Sequence, residues 1–251
     1  TGPVIGGLLI QLTGTSIAFA ITAATYAAPV IAIYFMRPRD RARTNEPPTS
    51  GYINQLVDGC RYALGKSHLR VAIIFGGIGA LAGRSVLETL PILANGVFGQ
   101  GPSGLGYMTA AAGAGAVGAS IFKAVSKPQK ANEFEPHILA MPVVIPLLVA
   151  SFAMIDDFGT AVGAVALIGA SVTLLAISLQ STVQMAIEDR YRGRVMGLWT
   201  TISIGSGAIG AVLMGVLVDM AGPASAQLLT GLTLAAASVL VLSKFRLGEG
   251  R

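Results

Sequence analysis

Arg84 and Glu88 are the two residues of this 251-residue chain best placed to do chemistry. They stand four apart, so on a helix they share one face, where opposite charges attract. Both fall within an apolar stretch, residues 69–94, long enough to cross a bilayer. Charges within such a stretch are costly, so they face a protein interior or a water-filled cavity. Glu88 beside Arg84 could take up and release protons in a transport cycle. The pair could equally be a neutralised couple that stabilises the interior and moves no protons. Gln180 and Gln184 stand one turn apart in a second apolar stretch, 160–187. They could line a substrate path or hydrogen-bond neighbouring helices.

Other chemistry finds little support. The chain holds one cysteine, Cys60, which excludes an internal disulfide and argues against a Cys-based zinc site. His68 and His137 both lie outside the apolar stretches. Neither H-E-x-x-H, G-x-S-x-G nor a Walker-type phosphate loop occurs, so neither an enzyme nor an ATP-driven pump is expected. No metal or cofactor is expected. Gly113 to Gly118 and Gly205 to Gly210 match the spacing of a dinucleotide fingerprint. That spacing has meaning only between a strand and a helix, and both copies fall inside apolar helical runs. Close packing of small residues accounts for them.

Composition sets the elements that must hold these residues. Hydrophobic residues make up 53% of the chain and charged ones 12%, with a mean hydropathy of +0.70. A soluble domain carries about 25% charged residues. The fold class expected is therefore an all-α polytopic membrane protein. Apolar runs of spanning length occupy 16–36, 69–94, 104–122, 138–155, 160–187, 195–218 and 224–243, with a shorter apolar piece at 1–12. The chain opens within an apolar segment, with no initiator Met or basic leader, and is expected to be part of a longer protein. Residues 51–66 place Ile53, Leu56, Val57, Cys60, Ala63 and Leu64 at helical spacing, opposite Asn54, Asp58 and Arg61. An amphipathic helix on the membrane surface is the simple account; a partner-binding helix is the alternative.

The connections alternate in charge. Sixteen of the 17 basic residues fall on one side: seven in the loop between the first two full spans or at its edge, then three, three and three in the later loops and the tail. The other side has none of them, but has Asp156, Asp157 and Asp219; Arg84 is the seventeenth. By the positive-inside rule the basic side, with the C-terminus, is cytoplasmic. The sequence-derived pI near 9.6 is thus a sign of orientation, and nucleic acid is not an expected partner. Asp189, Arg190, Arg192, Gly193 and Arg194 form one cytoplasmic junction. Its charges could pair across helices to gate the protein, or could simply obey the positive-inside rule.

A shift of 208 residues lays 1–36 on 209–244 with ten identities, among them Gly2 on Gly210, Gly14 on Gly222 and Thr25 on Thr233. The shift passes over six helices, as in transporters built from parallel six-helix repeats. The opening Gly2-Pro3-Val4-Ile5-Gly6-Gly7 resembles the fifth-helix antiporter motif of major facilitator exporters. Glu188-Asp189-Arg190-Tyr191-Arg192-Gly193-Arg194 resembles the loop between helices ten and eleven of that superfamily. Leu90-Pro91, Gly104-Leu105-Gly106-Tyr107 and Asp58-Gly59-Cys60-Arg61-Tyr62 are similar to its enterobactin-exporter-like and macrolide-efflux-like branch. The stretch 124–136 departs from the family, lacking the Gly-x-x-x-Asp-Arg-x-Gly-Arg pattern that many relatives carry there.

The resemblance implies a twelve-helix, two-bundle transporter, monomeric at full length, that exports small, mostly hydrophobic molecules by alternating access in exchange for protons. An importer is the alternative, then a non-transporting membrane subunit. The resemblance places residues 1–36 at the end of the first bundle, 37–68 in a central cytoplasmic loop, 69–243 in the second bundle and 244–251 in a tail. The partners expected are the lipid bilayer of a bacterial inner membrane, a small-molecule substrate and protons. Gly2, Pro3, Gly6 and Gly7 would make the helix contact that prevents leakage, or ordinary small-residue packing.

Overall fold

A computed structural model describes residues 15–35, 52–126 and 134–249. The chain divides into two compact units, residues 1–51 and 52–251. In the first, the described part is one helix, α1 (Thr15–Phe35), which carries Pro29 within it. The apolar piece at 1–12 and the motif Gly2, Pro3, Gly6 and Gly7 lie outside the described residues.

The second unit comprises α2 (Tyr52–Gly65), α3 (Ser67–Ile92), α4 (Gly101–Val125), α5 (Pro136–Ser151), α6 (Phe158–Ala186), α7 (Arg192–Ala221) and α8 (Pro223–Glu249). A π-turn, Leu93–Val97, extends α3, and 3-10 turns follow α5 and precede α7. No strand occurs among the described residues. The six helices α3 to α8, with α5 continued by its 3-10 turn to Met154, are each long and apolar enough to cross a membrane. These are six of the seven full spans expected, with ends displaced by only a few residues. The seventh is α1, whose apolar stretch Phe19–Phe35 is shorter than those six. The fold is an all-α, multi-pass membrane architecture, and both glycine-rich look-alikes lie inside helices, α4 and α7.

Helix ends follow from local chemistry. Asp157 caps α6: its Oδ2 accepts from the Thr160 backbone N–H at 2.7 Å and from the Thr160 hydroxyl at 3.0 Å. These bonds, the backbone one first, hold the Asp157 carboxyl below the usual carboxylate range. Gly222, at φ 79°, ends α7 in a conformation that side chains disfavour, and α8 starts at the next residue.

The spans pair α4 with α6, α3 with α7 and α5 with α8, while α3 also meets α5, α6 and α8. The centre therefore belongs to α3: 56% of its apolar stretch is buried by protein, against 11% for α4. The α4–α6 contact depends on missing side chains. A Cβ on Gly115 would collide with the Ala166 carbonyl oxygen, and one on Gly169 with that of Ala112. Without a hydrophobic force between helices in lipid, such close approach is what holds spans together. Gly113 and Gly118, by contrast, have open space around them.

One contact repairs a fault within a helix. α5 contains Pro142 and Pro146. Pro146 has no N–H, so the Pro142 carbonyl four residues earlier has no intrahelical donor. The buried Ser238 hydroxyl of α8 donates to that oxygen at 2.6 Å. Ser238→Ala should destabilise the protein by about 1–3 kcal/mol, the cost of an unsatisfied buried acceptor, and Ser238→Thr should retain most of the stability. Thermal unfolding in detergent checks both.

Candidate functional site

The Arg84–Glu88 pair forms as the spacing requires. Arg84 Nη2 lies 2.7 Å from Glu88 Oε1, and the side chains are 53% and 41% exposed. They project from the C-terminal half of α3, with Gly207 of α7 beside the Arg84 stem. On the neighbouring side of the same two turns, Ser85 and Thr89 are fully buried. The Gln227 side-chain amide of α8, also buried, donates to Thr89 Oγ1 at 3.1 Å. Thr89 in turn donates to the Val86 carbonyl at 2.8 Å. One flank of the segment is thus tied into the bundle while the other presents a charge pair. A lipid-facing charge at a span's centre costs about 2.5–3.5 kcal/mol even on the lenient scales. The exposed face of this segment is accordingly suited to water or protein.

Gln180 and Gln184 are also exposed, on α6. They do not join the charge pair. Leu175 of α6 lies against Gly79 of α3, and Val172 against Gly83. The two helices run antiparallel, so Gln180 and Gln184 stand level with residues 70–75 of α3. Arg84 is then about 14 to 21 Å away along the axis at 1.5 Å per residue. The amides sit toward the end where the basic residues gather, and the charge pair toward the other.

The junction before α7 makes contacts within itself and with α2. Asp189 and Arg192 form an ion pair at 3.1 Å. Arg190 and Arg194 lie over the Tyr191 ring, 5.7 and 6.0 Å from its centroid. Gly193 has open space around it. Glu188 pairs with Lys66 at 2.8 Å, at the joint between α2 and α3. That pairing, with help from the Tyr62 hydroxyl, lowers the Glu188 carboxyl and raises the Lys66 amine relative to their ordinary values. The pair is therefore intact through the neutral range. It is lost when pH falls through the depressed Glu188 value or rises through the elevated Lys66 value.

A family model described as "Transmembrane secretion effector" matches residues 1–251. The chain belongs to that family, within the major facilitator superfamily. It is 25% identical over 245 residues to an enterobactin exporter, EntS, of Escherichia coli, covering 96% of this chain and 56% of the exporter. It is 28% identical over 233 residues to a multidrug efflux pump, Tap, of Mycobacterium tuberculosis, covering 88% of this chain and 52% of the pump. This facilitator chain spans about half the length of the curated relatives it matches. No solved structure matches it.

Several polar contacts of this facilitator chain join residues far apart in sequence. Thr89 and Gln227 are 138 residues apart, and Lys66 and Glu188 are 122 apart. Only the presence of Gln227 within an apolar run hinted at the first. Replacing Thr89 with Val should cost about 1–3 kcal/mol, because the buried Gln227 amide loses its acceptor. Adding Gln227→Leu should recover most of that loss. A double-mutant cycle on thermal stability checks the coupling.

Proposed function

We propose that the chain forms part of a secondary active exporter that moves small, mostly hydrophobic molecules outward by alternating access, driven by proton entry. The observation that carries this reading is the Arg84–Glu88 pair. It lies on a spanning helix with both side chains about half exposed, on a flank unsuited to lipid. A carboxylate there can exchange protons with a water-filled path, and Arg84 supplies the countercharge when the proton leaves. Gln180 and Gln184, exposed nearer the basic end, would offer hydrogen bonds to a substrate along the same path. The names of the two relatives, an enterobactin exporter and a multidrug efflux pump, support export and a small-molecule cargo.

In this reading, the six-helix unit α3 to α8 is one bundle of a two-bundle transporter, and α1 belongs to the other. The full-length protein acts as a monomer in the bacterial inner membrane. Gly2, Pro3, Gly6 and Gly7 seal a helix contact, while Asp189, Arg190, Arg192, Gly193 and Arg194 form the cytoplasmic junction that changes shape in the cycle. The basic side and the C-terminus face the cytoplasm.

Glu88→Gln in the full-length protein should abolish efflux driven by an imposed pH gradient in proteoliposomes, with folding and substrate binding retained. Full transport by that variant would remove proton coupling at Glu88 from the reading. A fluorescent protein fused after Arg251 should fluoresce in cells, and an alkaline phosphatase fused there should be inactive. The opposite pattern would reverse the orientation.

A further inference from the structure

α2 docks on the bundle through only part of its apolar stripe. Gly59, Tyr62 and Ala63 make the contact, with Lys66 just beyond the end of the helix. Gly59 and Ala63 are buried, while Val57 and Leu64 of the apolar stripe stay about half exposed. Gly59 permits the approach: a Cβ there would come within 2.9 Å of Arg194 Cβ at the start of α7. Tyr62 stacks on Tyr191, ring centroids 4.1 Å apart and planes 14° from parallel. The Tyr62 hydroxyl accepts from Lys66 Nζ at 2.7 Å and from the Glu188 backbone N–H at 3.2 Å. Lys66 Nζ also donates to Glu188 Oε1 at 2.8 Å.

These contacts meet at two breaks in the helical chain. Lys66 is the non-helical residue between α2 and α3, with φ −94° and ψ 118°. Glu188 occupies the non-helical step between α6 and the 3-10 turn leading into α7, with φ −65° and ψ 141°. A phenol, an ammonium and a carboxylate thus bind one joint to the other across 122 residues of chain.

We propose that Tyr62, Lys66, Glu188 and Tyr191 form a latch that makes the α2–α3 and α6–α7 joints open and close together. The ion pair is exposed at both ends, 44% for Lys66 and 62% for Glu188, and exposed pairs are individually weak. The latch is therefore reversible.

Cys60 is half-buried on α2 and is the one cysteine in these 251 residues, so it reports undocking directly. The test uses full-length protein in liposomes, with any cysteine outside these residues replaced. Lys66→Gln, Glu188→Gln and Tyr62→Phe should each raise maleimide labelling of Cys60 about two- to fivefold, as expected for loss of an exposed pair. Lys66→Gln should also speed amide hydrogen exchange at residues 187–191, and Glu188→Gln at residues 63–67. The double variant should exceed neither single variant, and the swap Lys66→Glu with Glu188→Lys should return both readouts toward wild type. Wild-type labelling in all three single variants would overturn the latch. So would exchange that changes only at the mutated joint, or a swap that fails to restore it.

Discussion

Hydrocarbon offers no hydrogen bonds, so each backbone polar group within the membrane must find its partner inside the protein. The long helices α3 to α8 satisfy that demand along most of their length. It also explains what happens where a helix fails. Pro146 deprives the Pro142 carbonyl of its donor, and a serine from the neighbouring helix supplies one. Ser238 thereby both completes α5 and fixes how α8 lies on it. A polar residue in an apolar helix acts here as a determinant of packing, because leaving its partner unsatisfied would cost more than ordering the side chain.

The same demand makes helix pairing depend on shape more than on apolar attraction. Lipid tails solvate leucine as well as a neighbouring helix does, so close contact requires that side chains be absent. Gly115 and Gly169 meet the backbone of the facing helix reciprocally and bring α4 and α6 together. α3 takes the centre and carries polar groups on two flanks. Its buried flank is tied to α8 through Thr89 and Gln227; its exposed flank carries Arg84 and Glu88. Anchoring one side of a helical segment limits the freedom of charges on the other, which suits a site that must hold a carboxylate beside its countercharge.

Outside the spans the governing physics changes. Water screens charges at the basic end, and single ion pairs there contribute little. Order comes from several weak contacts meeting at one place: a ring stack, a shared phenol oxygen, an ion pair and a glycine that admits close approach. In the basic cluster Asp189 pairs with Arg192, and Arg190 and Arg194 lie over the Tyr191 ring. Glu188, the acid preceding that cluster, makes the distant contact.

The amino-acid sequence by itself determined the class, the approximate limits of the six long spans and the Arg84–Glu88 pair. These properties are local: they rest on run length, on residue type, and on a four-residue spacing that any helix turns into adjacency. The helix at 52–65 was legible for the same reason. Its docking side was legible only in part: Ala63 of the apolar stripe is buried, Val57 and Leu64 stay about half exposed, and Gly59, Tyr62 and Lys66 complete the contact. Tertiary structure alone decided which helices pair, which glycines are required, and that Gln180 and Gln184 lie well below Arg84 along the bundle. It also decided that Ser238 meets Pro142 and Lys66 meets Glu188. Such contacts depend on the rotation and depth of each helix against its neighbours, and residue spacing along one strand of chain carries no record of either.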